Sequence, residues 1–125
     1  MNILALDIGG TAVKYGFFSE ENEFGEFPVK DTDGIERLPE NIIEFISKYN
    51  ADCIGISVPG PFDFASGTGL MEHKLRSLYK ISLKEMIESR FPYTKLFFIH
   101  DATAFILGGI CNSSILPNEN ISGVM

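Results

Sequence analysis

The sequence has few basic residues and no long hydrophobic run. Only 10 of its 125 residues are Lys or Arg against 17 Asp or Glu, the formal net charge is -7, and the basic residues form no run. Because non-specific nucleic-acid binding and attachment to an anionic membrane both need clustered positive charge, we expect neither partner. The first apolar stretch ends at Asp7, too early for a signal-peptide core or a membrane span. We therefore expect a cytoplasmic protein.

Cysteine is also scarce. Cys53 and Cys111 are the two cysteines of the chain, and neither has a second ligand at metal-binding spacing. This spacing predicts no zinc site in this chain. Both thiols are expected to be reduced, as is usual in a cytosolic protein.

The composition is that of one folded domain. The chain has 45% hydrophobic residues and 11 phenylalanines, and its length fits a single core. The apolar patterning predicts an α/β domain, in which an antiparallel meander precedes alternating helices and strands. A capping box, Ser82 with Glu85 three residues on, marks one helix start. The predicted elements are strands over residues 3–8, 13–19 and 23–30, a helix of about three turns from residue 38, a strand over 51–58, a long loop, a helix from residue 83, a strand over 96–99 and a helix over 102–111.

Polar residues follow three of these strands. The first strand ends at Asp7, the fourth at the Pro59-Gly60-Pro61 segment, and the fifth at His100 and Asp101. In open α/β sheets ligands bind beyond the carboxyl ends of the parallel strands. If the three strands are neighbours, these residues meet in one cleft.

The turn after the first strand is a candidate phosphate site. The segment from Asp7 to Lys14 is neither a Walker loop nor a dinucleotide fingerprint, and it leads into a strand. Its two glycines would expose backbone amides to an anion, with Thr11 and Lys14 as further donors. The alternative is a plain two-glycine hairpin in which Asp7 caps the turn. A carboxylate within an apolar run favours the first interpretation, because hydrated magnesium could face it.

The other candidates also have structural alternatives. Asp101 fits a general base and equally an ordinary helix N-cap. His100 could contact a ligand or simply end a strand, and Lys14 could be a solvated lysine. The Pro59-Gly60-Pro61 segment could be a rigid turn or a binding loop.

Three blocks of the sequence carry a family resemblance: Leu-Ala-Leu-Asp-Ile-Gly-Gly-Thr over residues 4–11 with Lys14 and Gly16; Ile-Gly-Ile-Ser-Val-Pro-Gly-Pro over 54–61 with Asp63; and Leu-Lys-Glu over 83–85, Phe-Pro over 91–92 and His-Asp-Ala-Thr-Ala-Phe-Ile-Leu-Gly over 100–108. With these blocks the sequence resembles the ROK family (repressor, open reading frame, kinase) of sugar kinases and related regulators. The order and spacing of the shared segments agree over essentially the whole chain.

The resemblance implies the N-terminal lobe, residues 1–125, of an actin-like sugar kinase. Its fold would be ribonuclease-H-like, with a mixed five-stranded sheet of order 3-2-1-4-5 flanked by helices. It implies ATP and magnesium held together with a second lobe, transfer to a hexose-type hydroxyl, and a homo-oligomer as an open possibility. The implied roles are Asp7 for magnesium through water, Gly9, Gly10, Thr11 and Lys14 for the ATP phosphates, Pro59, Gly60 and His100 for the sugar, and Asp101 as the catalytic base.

The sequence departs from the family pattern at several points. His100 and Thr103 stand where the family usually has Asn, and residues 71–75 replace a common Asn-Leu pair. The family's second lobe is not in this chain, so we expect the lobe alone to be inactive. Two alternatives stay open: a sugar-sensing regulator, against which we note that no helix-turn-helix precedes the first strand, and a sugar-binding lobe without catalysis.

Overall fold

The computed structural model describes residues 1–99. Their elements are seven strands, two α-helices and one 3-10 helix. In chain order they are β1 (Ile3–Ile8), β2 (Ala12–Phe18), β3 (Glu23–Pro28), α1 (Leu38–Ile46), β4 (Cys53–Ser57), β5 (Phe62–Asp63), β6 (Thr68–Gly69), a 3-10 turn (Arg76–Leu78), α2 (Leu83–Arg90) and β7 (Lys95–Ile99).

Five strands form one mixed sheet in the order β3-β2-β1-β4-β7. The first three strands make an antiparallel meander, while β1, β4 and β7 run parallel. The predicted order 3-2-1-4-5 is confirmed, because β7 is the fifth strand of this sheet. The predicted helix over residues 102–111 lies outside the described residues.

The main core covers one face of the sheet, which we call the core face. Alternate β1 residues, Leu4, Leu6 and Ile8, point into it and are at most 3% exposed. Against them pack Ile42 and Ile46 of α1 and residues from the loop and α2. Burial of this many aliphatic side chains is the main stabilising term of the domain.

Helix α1 begins where the sequence predicts it. Pro39 occupies the first turn, where a proline costs no hydrogen bond, and the apolar stripe at helical spacing is buried. The N-cap residue Arg37 makes no side-chain cap. Instead, the Leu38 amide donates a hydrogen bond to the Ser77 hydroxyl at 3.2 Å. A residue far along the chain therefore satisfies an amide at the start of this helix.

Helix α2 confirms the predicted start at Ser82, which acts as the N-cap; the reciprocal bond from the Ser82 amide to the Glu85 carboxylate is not formed. The Glu85 amide donates to the Ser82 hydroxyl at 3.1 Å, and Leu83 and Ile87 are buried. The predicted long loop before it is more ordered than expected, since β5 and β6 pair as a small hairpin. Gly67 adopts a left-handed φ of 68° in its turn, which favours glycine.

The opposite side of the sheet, which we call the second face, carries smaller clusters. Ala5 packs with Ile99, and Ile3 with Cys53. Cys53 is fully buried and disulfide-bonded, so the expectation of a reduced thiol is wrong for this residue. Neither helix of the described part of the chain is long and apolar enough to cross a membrane.

Candidate functional site

The carboxyl ends of the three parallel strands lie side by side. In the strand register Asp7 of β1 is opposite Ser57 of β4, and Ser57 is opposite Ile99 of β7. The three parallel strands are therefore neighbours, as the predicted common cleft requires. His100 and Asp101 follow Ile99 in the sequence and lie outside the described residues.

The glycine turn joins β1 to β2 at this same edge. The Gly9 amide donates to the Ala12 carbonyl at 2.9 Å, and the Thr11 carbonyl accepts from the Val29 amide at 2.9 Å. Gly10 and Thr11 are exposed. A Cβ on Gly10 would have no neighbour within 4 Å, and φ at Gly10 is not left-handed. The local protein structure thus does not require glycine at residue 10, and its backbone is open to a ligand.

Asp7 and Lys14 face each other across β1 and β2 in the strand register. Both lie on the second face, since their neighbours Leu6 and Val13 point into the core. Asp7 is only half-buried and Lys14 is exposed. The expected desolvation cost of an Asp7 carboxylate among apolar side chains is therefore smaller than the sequence suggests.

No described residue hydrogen-bonds to the Asp7 carboxylate or forms an ion pair with it. Among residues 1–99 there is also no group of three His, Cys, Asp or Glu side chains that could hold a metal directly. A single unpartnered carboxylate suits a cation that keeps most of its water ligands, which is how magnesium usually binds. Asp7 borders a concavity of about 440 Å³ whose other lining residues include Lys14, Gly16, Phe18, Phe24 and Glu26.

The segment after β4 forms the edge next to the turn. The Val58 amide donates to the Ile99 carbonyl at 3.2 Å, which holds the segment to β7. Pro59 is half-buried, Gly60 is exposed, and a Cβ on Gly60 would have no neighbour within 4 Å. The Pro61 carbonyl accepts from the Leu70 amide at 3.2 Å. Gly60 therefore offers open backbone on an anchored segment.

Asp63 has a local structural role in the hairpin. Its carboxylate accepts hydrogen bonds from the amides of Ala65 at 3.0 Å and Ser66 at 3.3 Å. Hydrogen bonds from Ser66 and then Ala65 lower the pKa of the Asp63 carboxyl. Asp63 thus shapes the turn between β5 and β6.

A second cavity beside the turn was missed by the sequence reasoning. We call it the cationic cavity; it measures about 600 Å³, and Gly10 of the turn lies in its wall. Lys30 lies more than forty positions before the basic residues His73, Lys74 and Arg76, so no local motif joins the two parts of this cavity. The one signal in the sequence was the cluster of basic side chains at residues 73–76 in an acidic chain. The cavity is lined by Gly10, Lys30, Glu36, His73, Lys74, Leu75, Arg76 and Ser77.

Two sugar kinases are similar to the chain in sequence. A glucokinase from Thermotoga maritima is 28% identical over 115 residues, which cover 86% of this chain and 36% of that protein. A beta-glucoside kinase from Klebsiella pneumoniae is 31% identical over 94 residues, which cover 72% of this chain and 31% of that protein. The chain thus spans about a third of the length of these relatives. No protein-family model matches it.

Solved structures of sugar kinases share the fold of this chain. A candidate sugar kinase from Cytophaga hutchinsonii superposes with a TM-score of 0.64 at 27% identity, over 86% of this chain and 38% of that one. A ROK hexokinase from Thermus thermophilus superposes with a TM-score of 0.64 at 22% identity, over 91% of this chain and 39% of that one. The ribonuclease-H-like, actin-like fold class is confirmed. The chain is therefore homologous in sequence to sugar kinases, and it shares its fold with sugar kinases of the ROK family.

Proposed function

We propose that this chain supplies the first phosphate-binding turn and part of the sugar site of an ATP-dependent sugar kinase. The observation that carries the proposal is the shared edge of β1, β4 and β7. This edge brings the glycine turn next to the segment that contains Gly60. Asp101 follows β7 after one intervening residue. A donor, an acceptor and a base can therefore approach one another at a single edge.

The proposed donor is ATP. A structural neighbour from Streptomyces griseus, a ROK-family glucokinase, was solved in complex with glucose and AMPPNP, and it shares the fold with a TM-score of 0.61. In this chain Gly10 and Thr11 would present backbone amides, and Thr11 its hydroxyl, to the phosphates. Gly9, whose amide donates to the Ala12 carbonyl, would serve the phosphate site by holding the turn in shape. Lys14 would add a positive charge, and it is exposed on the side of Asp7.

Phosphoryl transfer needs positioning and charge compensation more than covalent help from the protein. Magnesium, when bound, would neutralise charge on the phosphates, and Asp7 would hold its water shell. Pro59, Gly60 and His100 would orient the sugar. The Asp101 carboxylate would accept the proton of the sugar hydroxyl as the new oxygen–phosphorus bond forms and the bond to the leaving diphosphate breaks.

The proposed unit is one lobe of a two-lobed enzyme. Because the chain spans about a third of its relatives, we infer that residues 1–125 correspond to their N-terminal lobe. The second lobe would close over the nucleotide and complete the sugar contacts. Without it the isolated lobe would not turn over substrate, because a phosphate is then gripped from one side only.

The test uses the gene with the coding sequence that follows residue 125. The complete protein should transfer phosphate from ATP to a hexose, and coupled detection of ADP across a sugar panel would measure this transfer. Asp101→Asn should lower kcat by at least about a hundredfold with little change in KM, since general-base catalysis contributes roughly that much.

The matched control is Glu88→Gln, which removes an exposed carboxylate from α2. It should leave kcat unchanged. Near-normal turnover by Asp101→Asn would refute the base assignment. Saturable sugar binding by the complete protein without any ADP release would instead support a regulator or a non-catalytic sugar-binding protein.

A further inference from the structure

We propose that the cationic cavity binds an anionic group carried by the sugar, so that the sugar ligand is an acidic or phosphorylated sugar. This inference rests on the proposed sugar-kinase function and specifies its substrate class. It explains the segment His73-Lys74-Leu75-Arg76, which departs from the family pattern and has no part in the phosphate turn.

The first argument is the concentration of charge. The whole chain has ten basic residues and a net charge of -7, yet Lys30, Lys74 and Arg76 line one cavity together with His73. The ion pairs of the described residues are both made by Arg37, so none of these three cations is paired there. Such an excess of unpaired positive charge is a favourable environment for an anion.

The one carboxylate among the described lining residues, that of Glu36, offsets one of the three cationic charges and leaves a formal excess of two. Glu36 accepts hydrogen bonds from the Ser77 amide, at 2.7 Å, and from the Ser77 hydroxyl. Its carboxylate is therefore engaged in holding the segment and is not paired with Lys74 or Arg76. Arg and Lys are the side chains best suited to carboxylate and phosphate groups.

The cations are attached to a fixed piece of backbone. Leu75, between Lys74 and Arg76, is 2% exposed and packs in the main core. It holds a left-handed conformation, with φ of 53° and ψ of 41°, which is unfavourable for leucine unless the surroundings impose it. Ser77 ties the other end to Glu36 and Leu38. Pre-ordering of the backbone lowers the entropy cost of binding a ligand.

The position of the cavity favours the sugar over the nucleotide. Asp7 and Lys14 line the concavity on the second face, whereas Leu75 of the cationic cavity belongs to the core-face cluster. Gly10 lies in the wall of the cationic cavity, so the anion would still be close to the transferred phosphate. Residues 73–76 of the cavity follow shortly after Leu70, whose amide donates to the carbonyl of Pro61 in the Pro59-Gly60-Pro61 segment. That segment is the part of the chain proposed to bind the sugar.

The test compares binding of neutral and charged sugars by the 125-residue chain. Titrations followed by nuclear magnetic resonance would use glucose, glucuronate, glucose 1-phosphate and the cationic sugar glucosamine. We expect the two anionic sugars to bind about tenfold more tightly than glucose, since one charge-assisted hydrogen bond contributes roughly that factor, and glucosamine to bind more weakly. The preference should decrease as salt is added.

The decisive variant is Lys74→Ala/Arg76→Ala, which should reduce the affinity for anionic sugars to that for glucose. Its matched control is Lys48→Ala/Lys95→Ala, which removes the same charge from two exposed residues outside the cavity and should keep the preference. Circular dichroism would verify that both proteins are folded.

Three results would overturn the inference. The first is equal or undetectable binding of glucose and the anionic sugars; the second is an equal preference in both double variants. The third is a loss of ATP-magnesium binding, without a loss of anionic-sugar binding, in Lys74→Ala/Arg76→Ala. If the complete protein phosphorylates only neutral hexoses, this inference is wrong and the proposed kinase function is supported. If the complete protein binds anionic sugars but transfers no phosphate, the kinase function is wrong and the inference about the anionic ligand is supported.

Discussion

The two faces of the sheet differ in what their residues do, and β1 contributes to both. Leu6 is fully buried on the core face and belongs to the main core. Its neighbour Asp7 is half-buried on the second face, and its carboxylate has no polar partner among residues 1–99. Because strand side chains alternate, a single strand can stabilise the fold and carry a site residue. Stability and ligand binding should therefore be separable by substitutions one position apart.

Leu6→Ala and Asp7→Ala are the strongest test of this separation. Leu6→Ala should lower the free energy of unfolding by about 3 kcal/mol, because it leaves a cavity in a closely packed core. Asp7→Ala should change the free energy of unfolding by less than about 0.5 kcal/mol, because the carboxylate makes no hydrogen bond or ion pair with residues 1–99. Urea unfolding followed by circular dichroism measures both.

Asp7→Ala should also change the affinity for ATP. Asp7→Ala should weaken ATP binding in magnesium more than in its absence, as measured by calorimetry. A loss of stability in Asp7→Ala as large as that in Leu6→Ala would mean that the two faces are not separable.

Ser77→Ala should have the next largest effect. It removes the hydroxyl that accepts from the Leu38 amide and that donates to Glu36. Loss of a helix cap costs about 1 kcal/mol, so we expect a decrease of that size in the free energy of unfolding. Ser89→Ala on the exposed side of α2 is the control, since its hydroxyl bonds only to the Met86 carbonyl of its own helix. An equal effect of the two substitutions would argue against the long-range cap.

Gly10→Ala should have the smallest effect on stability. A Cβ there meets nothing within 4 Å, so the free energy of unfolding should stay constant or rise by up to about 1 kcal/mol through a less flexible unfolded chain. Nucleotide binding should nevertheless weaken, because the methyl group would stand between the backbone and a phosphate. Gly9→Ala is the comparison: its Cβ would lie 3.0 Å from the Ala12 carbonyl oxygen, and it should destabilise the fold. Unaltered nucleotide affinity in Gly10→Ala would remove this turn from the proposed site.

Much of the sheet and both helices could be predicted from local patterns. The apolar run up to Ile8, the paired glycines and the Ser82 N-cap each report on a few neighbouring residues, and each matches the structure. The strand bounds differ mainly at their ends, as with β4, which is shorter than the predicted strand over 51–58. The carboxyl ends of β1, β4 and β7 could be predicted to lie at one edge because adjacent parallel strands end on the same side of a sheet.

The features that were missed depend on contacts between distant residues. The Leu38 amide and the Ser77 hydroxyl are 39 positions apart, so no pattern around Leu38 indicates its cap. The strands β5 and β6 have two residues each and no period to detect. The left-handed backbone of Leu75 contradicts its own preference and is imposed by packing. The roles of Asp7, Gly9, Gly10, Thr11, Lys14, Pro59, Gly60, His100 and Asp101 stay predictions.

The hydrogen bond between the Gly9 amide and the Ala12 carbonyl has a consequence for how this domain can vary. It sets the length of the turn, and with it the pairing of β2 against β1. One inserted residue would rotate Val13 out of the core and Lys14 into it, because a shift of one position exchanges the faces of a strand. Homologous sequences should therefore tolerate insertions near residues 19–22 or 31–35, on exposed connections, while the number of residues in the glycine turn stays constant.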